Sequence, residues 1–502
     1  MERPSRSLDP IFSPRSVAVV GASRRRESIG FALVHNLVLS EFQGAIFPVN
    51  PQAEVVHSLK CYPSIAAIPD PVDLAVIAVP RPGVLPAVEE CLARGVGGLV
   101  VITAGFSETG EEGRRLEQEI RARVRAAGVR MVGPNCMGVI NTDPRVSLNA
   151  TFAPVPARRG SLGFVSQSGA LGVAILNVAS DLGLGLTQFA SMGNKADVSG
   201  NDLLEYWEDD PETKVLCMYL ESFGNPRRFT EIAKRVGRKK PILIVKSGRT
   251  AEGARAASSH TGALAGADLT VSALLDQCGV LRANTIEELF DIARALARCE
   301  LPAGDRVAIV TNAGGPAIMA TDACVGLGLK MAELSAATQA ALRAALPPEA
   351  SAVNPVDMIA SATAETYART VATVLPDDGV DLALVINVTP LLGNPRDVLE
   401  AVAEVARAQR KPVLAVMMAT EDFYEDVKGR QDLPPVYRFP ESAARAGQML
   451  ARYAAWRRRP VEASPPEFAA DDTQVAALLA RRGADGYLEP GDAFRVLEIY
   501  GI

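Results

Sequence analysis

Short apolar runs alternate with amphipathic helical stretches along almost all of the 502 residues, and this alternation constrains the fold more than any other feature. The runs at residues 16–20, 162–165 and 307–310 are short and almost wholly apolar. Parallel strands covered by helices on both faces have this pattern. The chain is therefore predicted to be an α/β protein built on parallel sheets.

The strand-like runs fall into three series, which agrees with a domain size of roughly 150 residues. Residues 8–150 hold five apolar runs with four helical stretches between them, and are predicted to form a Rossmann-like domain. Residues 158–300 and 304–460 are predicted to form two further parallel α/β domains, each preceded by a linker that contains Pro and Gly. Residues 461–502 contain two helical stretches without a core of their own, and are interpreted as a linker and the start of another domain.

Composition and charge exclude several classes of protein. The net charge of -6 argues against a general nucleic-acid binder, which carries a basic excess. No apolar run approaches the roughly 18 residues of a membrane span, and the amino terminus lacks the apolar centre of a signal peptide, so a cytoplasmic location is expected. The seven cysteines include no C-x-x-C pair and the three histidines are dispersed, so free thiols and no metal site are predicted.

The loops after the first two strands of the chain differ from those of a simple NAD-binding domain. Gly21 and Gly30 do not give the spacing G-x-G-x-x-G, and Asn50-Pro51 stands where the ribose-binding acid is expected. Glycine still lets the backbone approach a phosphate at a helix amino terminus, and Arg26 could meet further phosphates. The alternative to an anion site here is a tight turn with solvated arginines.

Small residues also follow the later strands of this series, and together these loops could wall a long anionic ligand such as coenzyme A. The residues expected to contact that ligand are Gly21, Ala22, Ser23, Arg26, Gly30, Asn50, Pro51, Val79, Pro80, Ala104, Gly105, Asn135 and Cys136. Individually these are ordinary loops between a strand and a helix. Cys136 is interpreted as a structural residue of its loop rather than a nucleophile, because no histidine follows nearby.

Two later loops combine hydroxyl or amide side chains with glycine directly before a helix. Such a helix start can bind an anion through its backbone N–H groups. The candidate phosphate-binding residues are Gln167, Ser168, Gly169, Asn312, Ala313, Gly314 and Gly315. Pro316 is expected near the first position of its helix, where a missing N–H costs nothing. The alternative is that both are ordinary turns.

His260 lies in a loop of small residues, ASSHTGA at residues 257–263, and is the only histidine of its predicted domain. A neutral imidazole nitrogen can act as a nucleophile and hold a phosphoryl group. Glu221, at the end of a predicted strand, is placed to hold that ring and to stabilise its positive charge. The alternatives are a structural or exposed histidine and a salt-bridged Glu221.

Taken in order, the loops resemble those of the nucleoside-diphosphate-forming acyl-CoA synthetases, relatives of succinyl-CoA synthetase. The resemblance covers nearly all of residues 8–502. It is carried by GAS…G at 21–30, PVNP at 48–51, GPNCMG at 133–138, GFVSQSGALG at 163–172, GNKADVSGNDLLEYW at 193–207, SGRTAEGARAASSHTGALAG at 247–266, TNAGGPAI at 311–318 and NPVDM at 354–358.

The resemblance implies a CoA-binding Rossmann domain followed by two flavodoxin-like ligase domains. It implies the interconversion of acyl-CoA, ADP and phosphate with a carboxylic acid, CoA and ATP, through acyl phosphate and phosphohistidine. His260 matches the family's phosphohistidine and Glu221 its supporting glutamate. Gly169 and Gly314-Gly315 fall at the two phosphate-facing helix starts.

The family also has an ATP-grasp domain that binds ADP or ATP with Mg²⁺, and residues 490–502 resemble only its beginning. The chain is therefore expected to be part of a fusion or a subunit that assembles with an ATP-grasp partner as a homo- or hetero-oligomer. Two alternatives stay open: a non-catalytic CoA sensor, and the regulatory portion of a protein acetyltransferase fusion. The acyl group and the choice between ADP and GDP are not fixed by the sequence.

Overall fold

The computed structural model describes residues 8–250, 252–253, 255, 268–389, 394–460, 471–483 and 486–502. They form two compact units, one up to Arg457 and one from Arg458 onward. The strands belong to the first unit. In chain order they are β1 Ser16–Val20, β2 Ala45–Val49, β3 Val55–Val56, β4 Leu59–Lys60, β5 Leu74–Ile77, β6 Gly98–Val101, β7 Arg130–Val132, β8 Gly138–Asn141, β9 Leu148–Thr151, β10 Arg159–Ser166, β11 Leu186–Ser191, β12 Val215–Leu220, β13 Ile242–Lys246, β14 Leu281–Ala283, β15 Arg306–Thr311, β16 Lys330–Met331, β17 Val356–Asp357, β18 Leu382–Val388, β19 Val413–Met418 and β20 Val436–Tyr437.

Three sheets repeat one parallel topology. Their strand orders are β2-β1-β5-β6-β7, β14-β13-β12-β10-β11-β8-β9 and β16-β15-β18-β19-β20. In the first two sheets the first parallel strand lies between the second and the third. In the third sheet β15 lies between β16 and β18, and its end also pairs with the short β17, so the direction of winding reverses at the first parallel strand of all three sheets. The strands β1, β5, β6 and β13 are buried along their whole length, as the uninterrupted apolar runs predicted. The predicted fold class, a Rossmann-like domain followed by flavodoxin-like sheets, is confirmed.

The helices of the described residues connect these strands. In chain order they are α1 Asp9–Phe12, α2 Ile29–Leu39, α3 Val84–Ala93, α4 Glu111–Ala126, α5 Gly169–Asp181, α6 Gly200–Trp207, α7 Pro226–Gly237, α8 Asp268–Cys278, α9 Ile286–Arg298, α10 Gly314–Gly326, α11 Ala336–Ala345, α12 Ala364–Val374, α13 Pro395–Ala408, α14 Glu421–Val427, α15 Pro440–Arg458, α16 Asp472–Leu479 and α17 Pro490–Ile499. No helix among these residues is both long and apolar enough to cross a membrane.

The first sheet has three connecting α-helices rather than the four predicted, so that expectation was wrong. The segment between β2 and β5 forms the small antiparallel hairpin β3–β4 and irregular turns. It contains Pro51, Pro63, Pro69 and Pro71. Proline lacks the N–H that a helix interior needs, which explains why no helix forms there.

The hairpin β8–β9 joins the second sheet, although no strands were predicted at these residues. β8 pairs antiparallel with β11, and β9 continues the edge. The hairpin spans residue 150, where the first domain was predicted to end. The predicted domain limits 8–150, 158–300, 304–460 and 461–502 stay predictions.

A buried carboxylate, Asp197, links the first and second sheets. Its side chain is 2% exposed and accepts hydrogen bonds from Arg130 Nε at 2.8 Å and the Met131 backbone N–H at 3.0 Å. The backbone of the same loop follows β7, with the N–H of Val198 donating to the carbonyl of Met131. The loop after β11 is thereby fixed against the last strand of the first sheet.

The second unit, from Arg458, contains the helices α16 and α17. Asp471 caps α16 by accepting the N–H groups of Thr473 and Gln474 at 3.0 Å. Val475 and Leu478 of this helix are buried. Both helical stretches predicted for this part of the chain are therefore present.

Candidate functional site

A cavity of about 930 Å³ is lined by loops that follow strands of both the first and the second sheet. Gly21 follows β1 and residues 78–80 follow β5, the two strands beside the reversal point of the first sheet. Residues 167–169 follow β10 and residues 221–222 follow β12, the equivalent strands of the second sheet. Ligands of open parallel sheets bind at such points, so this cavity is the candidate site.

Two glycines allow the start of α2 to approach the loop after β1. Gly21 has a φ of +94°, and a Cβ there would lie 2.6 Å from the carbonyl oxygen of Ala78. A Cβ on Gly30 would lie 2.0 Å from the carbonyl oxygen of Gly21. Only glycine fits both positions without movement of the backbone. The hydroxyl of Ser28 caps α2 by accepting the N–H of Phe31 at 3.2 Å, and Ser28 itself lines the cavity.

The structure brings about half of the predicted coenzyme A contacts into this cavity. The predicted residues that line it are Gly21, Gly30, Val79, Pro80, Ala104, Asn135 and Cys136. The predicted residues outside its lining are Ala22, Ser23, Arg26, Asn50, Pro51 and Gly105. Their roles as ligand contacts stay predictions.

One of the residues outside the lining, Asn50, supports the loop after β1. Asn50 donates from Nδ2 to the carbonyl of Ala22 at 2.7 Å, and Ala22 is fully buried. Asn50 therefore replaces the expected acid with a bond that holds the loop after β1. Arg26 is exposed at the surface.

The thiol of Cys136 is buried and protonated. Burial raises the pKa of Cys136 to about 12, and its Sγ donates to the carbonyl of Val101 at 3.2 Å. A thiol is a good nucleophile only as a thiolate. The geometry thus agrees with a structural role for Cys136 in the cavity wall.

The start of α5 points at the cavity through its first residues. Ser168 accepts the N–H of Leu171 at 3.3 Å, whereas the N–H groups of Gly169 and Ala170 have no acceptor among the described residues. Gln167 accepts the backbone N–H groups of Glu221 at 2.9 Å and of Ser222 at 3.1 Å. The amide of Gln167 therefore shapes the site, and the N–H groups of α5 are available to an anion.

The second candidate phosphate-binding helix start, residues 312–315, does not line this cavity. Asn312 is buried and bonds to both backbone groups of Val388, donating to its carbonyl and accepting its N–H, each at 2.9 Å. Ala313 is the N-cap of α10 and Pro316 is its third residue rather than its first. A Cβ on Gly314 would lie 3.5 Å from Asp357 Oδ2, whereas a Cβ on Gly315 would meet open space.

Glu221 lines the cavity directly after β12, where the sequence had placed it. His260 lies outside the described residues, as does the whole of residues 256–267. The predicted partnership of the two side chains therefore stays a prediction. The first described residue after the gap is Asp268, at the start of α8.

Two polar residues of the loop after β11, Asn194 and Lys195, line the cavity and were not predicted. Asn194 donates from Nδ2 to Glu108 at 2.6 Å and to Glu117 at 2.8 Å. Lys195 donates from Nζ to the carbonyl of Ser222 at 3.0 Å and to its hydroxyl at 2.7 Å. Both residues belong to the motif GNKADVSG in the loop between β11 and α6, which was the available signal.

Glu108 is held as a carboxylate at the edge of the cavity. Burial acts to raise its pKa, but hydrogen bonds from the Gly105 N–H at 2.6 Å and from Asn194 outweigh burial, and the pKa is lowered. The N–H of Gly105, predicted to face the ligand, is thus used by Glu108. An ionised Glu108 gives this part of the wall a negative charge.

The chain matches three family models that cover most of the first unit. They are a CoA binding domain at residues 15–142, a succinyl-CoA ligase like flavodoxin domain at 159–296 and a Ligase-CoA domain at 307–429. These three models, together with the cavity at the reversal points of the first and second sheets, define the class of protein. It is a CoA-binding ligase built from one Rossmann-like and two flavodoxin-like sheets.

Similar proteins show the family to which the chain belongs. The alpha subunit of ADP-forming acetate–CoA ligase II from Pyrococcus furiosus is 44% identical, over 89% of this chain and 98% of that one. The ADP-forming 4-hydroxybutyrate–CoA ligase of Nitrosopumilus maritimus is 37% identical, over 91% of this chain and 65% of that one. An acetyl-coenzyme A synthetase 1 from Candidatus Korarchaeum cryptofilum, solved with phosphate and ADP, is 35% identical with a TM-score of 0.84, covering 90% and 97% of the two chains. This chain belongs to the family of ADP-forming acyl-CoA synthetases, the acetate–CoA ligases among them.

Proposed function

We propose that this chain carries the CoA-binding and phosphoryl-transfer parts of an ADP-forming acyl-CoA synthetase. The enzyme would interconvert acyl-CoA, ADP and phosphate with a carboxylic acid, CoA and ATP, through acyl phosphate and phosphohistidine. The observation that supports this most strongly is the single cavity lined by the reversal points of both sheets, since it joins a glycine-walled loop to an open helix start.

The cavity fits coenzyme A by its size and by its wall. Its volume of about 930 Å³ lies within the range of ligand pockets, and Ile29, Val79, Ile102 and Phe152 contribute apolar surface. Gly21 and Gly30 would let phosphate oxygens approach the backbone at the start of α2. When bound, the thiol of coenzyme A supplies the nucleophile that accepts the acyl group.

The phosphate would bind at the start of α5. The N–H groups of Gly169 and Ala170 point away from any acceptor among the described residues, and the helix dipole favours an anion there. Residues 312–315 stay part of the proposal on their sequence alone, because they do not line the cavity.

His260 would carry the phosphoryl group between the two half-reactions. Its imidazole would attack the phosphorus of acyl phosphate, releasing the carboxylate, and would then pass the phosphoryl group to ADP. Glu221 would accept a hydrogen bond from the N–H of the other ring nitrogen and offset the positive charge of the phosphorylated ring.

The nucleotide and its Mg²⁺ would be held by an ATP-grasp subunit or domain, and acetate is proposed as the acyl substrate. The P. furiosus and K. cryptofilum relatives, named as acetate–CoA ligase and acetyl-coenzyme A synthetase, support that substrate. The alpha-subunit relative supports a separate partner chain. The regulatory alternatives, a CoA sensor or an acetyltransferase fusion, are not favoured, since the relatives are ligases.

The reaction itself can be tested with the full chain and an ATP-grasp partner subunit from a relative. Acetyl-CoA, phosphate and ADP with Mg²⁺ should give CoA and ATP in equal amounts, measured by thiol release and luminescence. Gly315→Asp, which meets open space in the structure, should slow the reaction about tenfold if α10 also faces phosphate, by adding a like charge. Binding of CoA to a wild-type chain that never releases CoA from acetyl-CoA would instead favour the sensor.

A further inference from the structure

Lys195 is the one lysine or arginine among the described residues that line the cavity. The other charged residues of that lining are the carboxylates Glu108 and Glu221. A cavity that takes phosphate groups next to two carboxylates needs a compensating positive charge. The proposed reaction assigns no role to Lys195.

The ammonium of Lys195 is directed to the α5 side of the cavity by its partners. Ser222 accepts two of its three possible N–H bonds, through the carbonyl and the hydroxyl, at 3.0 and 2.7 Å. The N–H of Ser222 donates to Gln167 Oε1 at 3.1 Å, and Gln167 immediately precedes Ser168 and Gly169. The third donor of Lys195 has no acceptor among the described residues.

The backbone around Lys195 fixes this placement. Lys195 has a φ of +58°, and its N–H donates to the carbonyl of Met192 at 3.1 Å. A Cβ on the neighbouring Gly193 would lie 2.2 Å from the carbonyl oxygen of Pro134. The loop therefore packs tightly on the first sheet while its lysine contacts the second.

We propose that the Lys195 ammonium binds the oxygens of the phosphate group that reacts at the start of α5, whether that group is inorganic phosphate or acyl phosphate. This inference rests on the proposed function. Lys195 forms no covalent bond and gives up no proton, since it acts by a charge-assisted hydrogen bond. Its contacts with Ser222 favour this phosphate over those of coenzyme A, which the loops of the first sheet would hold.

A lysine in this position should titrate within the working pH range. Burial lowers the pKa of Lys195 to about 8, Glu221 acts to raise it and Lys246 acts to lower it further. Glu108 is the remaining charged residue of the described lining. Most Lys195 side chains are thus protonated at pH 7, and most are neutral at pH 9.

Calorimetric titration of inorganic phosphate into the full wild-type chain, saturated with CoA, tests the inference. Affinity should fall about tenfold between pH 7 and pH 9, the change in the protonated fraction of a group with a pKa of about 8. Lys195→Arg should remove that fall, because arginine stays charged. Lys195→Met should bind phosphate at least about tenfold more weakly at pH 7 and should bind CoA normally.

Two further variants separate the effect of the Lys195 charge from that of its hydrogen bonds with Ser222. Ser222→Ala removes one hydrogen bond of Lys195 but keeps its charge, and should retain the pH dependence. Lys240→Met is the matched control, since Lys240 is a half-buried lysine bonded to the carbonyl of Trp207 at 2.6 Å outside this cavity. It should bind phosphate as wild type does.

A flat wild-type profile between pH 7 and pH 9 would overturn the inference even if Lys195→Met failed to fold. So would an unchanged fall in Lys195→Arg, or a loss of CoA rather than phosphate affinity in Lys195→Met. Failure of the proposed function is a different result, since the wild-type chain would then bind no CoA in the same calorimeter.

Discussion

Gly30→Ala is expected to weaken the binding of coenzyme A about a hundredfold or more, which corresponds to about 3 kcal/mol. The added methyl group would lie 2.0 Å from the carbonyl oxygen of Gly21, so the start of α2 must move away from the loop after β1. That movement separates Gly21, Ser28 and Ile29, which line the same wall of the cavity. Calorimetry on the full chain measures the loss, and circular dichroism checks that the variant is folded.

Gly326→Ala is the matched control for that substitution. Gly326 also lies in a helix, at the end of α10, and a Cβ there meets nothing within 4 Å. It should bind coenzyme A as wild type does. NAD should not bind to any of these chains, because Asn50 replaces the ribose-binding acid. Normal affinity in a folded Gly30→Ala chain, or binding of NAD in preference to CoA, would contradict the assignment of this cavity.

Asp197→Ala is expected to lower the free energy of unfolding by about 2 kcal/mol or more, since it removes the acceptor of the buried Met131 N–H and one of the two carboxylates that pair with the partly buried Arg130. Arg130 is 19% exposed and the side chain of Asp197 is 2% exposed, so water replaces the carboxylate poorly. Because Asp197 lies two residues after Lys195 and fixes the loop against β7, the affinity for CoA should fall as well. Urea unfolding followed by circular dichroism measures the first effect.

An exposed ion pair provides the comparison. Asp432 pairs with Arg430 at 2.6 Å, with side chains 48% and 40% exposed. Asp432→Ala should leave the free energy of unfolding nearly unchanged, since solvent screens such pairs. Equal losses in the two variants would mean that Asp197 does not hold the sheets together.

The parallel strands and the loops beside β1, β5, β10 and β12 could be predicted because local pattern determines them. An apolar run that is buried on both faces has the same appearance in any parallel sheet. A glycine after a strand and a hydroxyl before a helix are also local signals. Gly21, Gly30, Gly169 and Glu221 were identified in that way and all line the cavity.

The functional residues that were not predicted from the sequence are placed by contacts between the sheets. Lys195 and Asn194 lie in the loop after β11, and only the packing of that loop on β7 turns them toward the cavity. Asp197 has the same origin, as its partners are 67 and 66 residues away in the chain. The absence of a helix between β2 and β5 could have been predicted from the sequence, since that segment contains four prolines.

The third sheet shows that a local sequence signal does not by itself place a residue in the cavity. Residues 312–315 have the same local signal as residues 167–169, yet only the latter line the described cavity. Asn312 uses its amide to join the end of β15 to β18, and its role as a phosphate contact stays a prediction. A local motif thus predicts the kind of turn, whereas its use depends on which other loops converge on it.

The measurement that tests the central claim most directly is covalent labelling of the full chain with radioactive phosphate and acetyl-CoA. Attack of the His260 nitrogen on acetyl phosphate should give an acid-labile, base-stable label, with one acetate and one CoA released for each phosphate retained. His260→Ala should carry no label, Glu221→Gln should carry less, and substitution of His35 or His57 should change nothing. Full labelling of His260→Ala, or release of CoA by wild type without any label in the presence of the ATP-grasp partner, would contradict phosphohistidine catalysis in this chain.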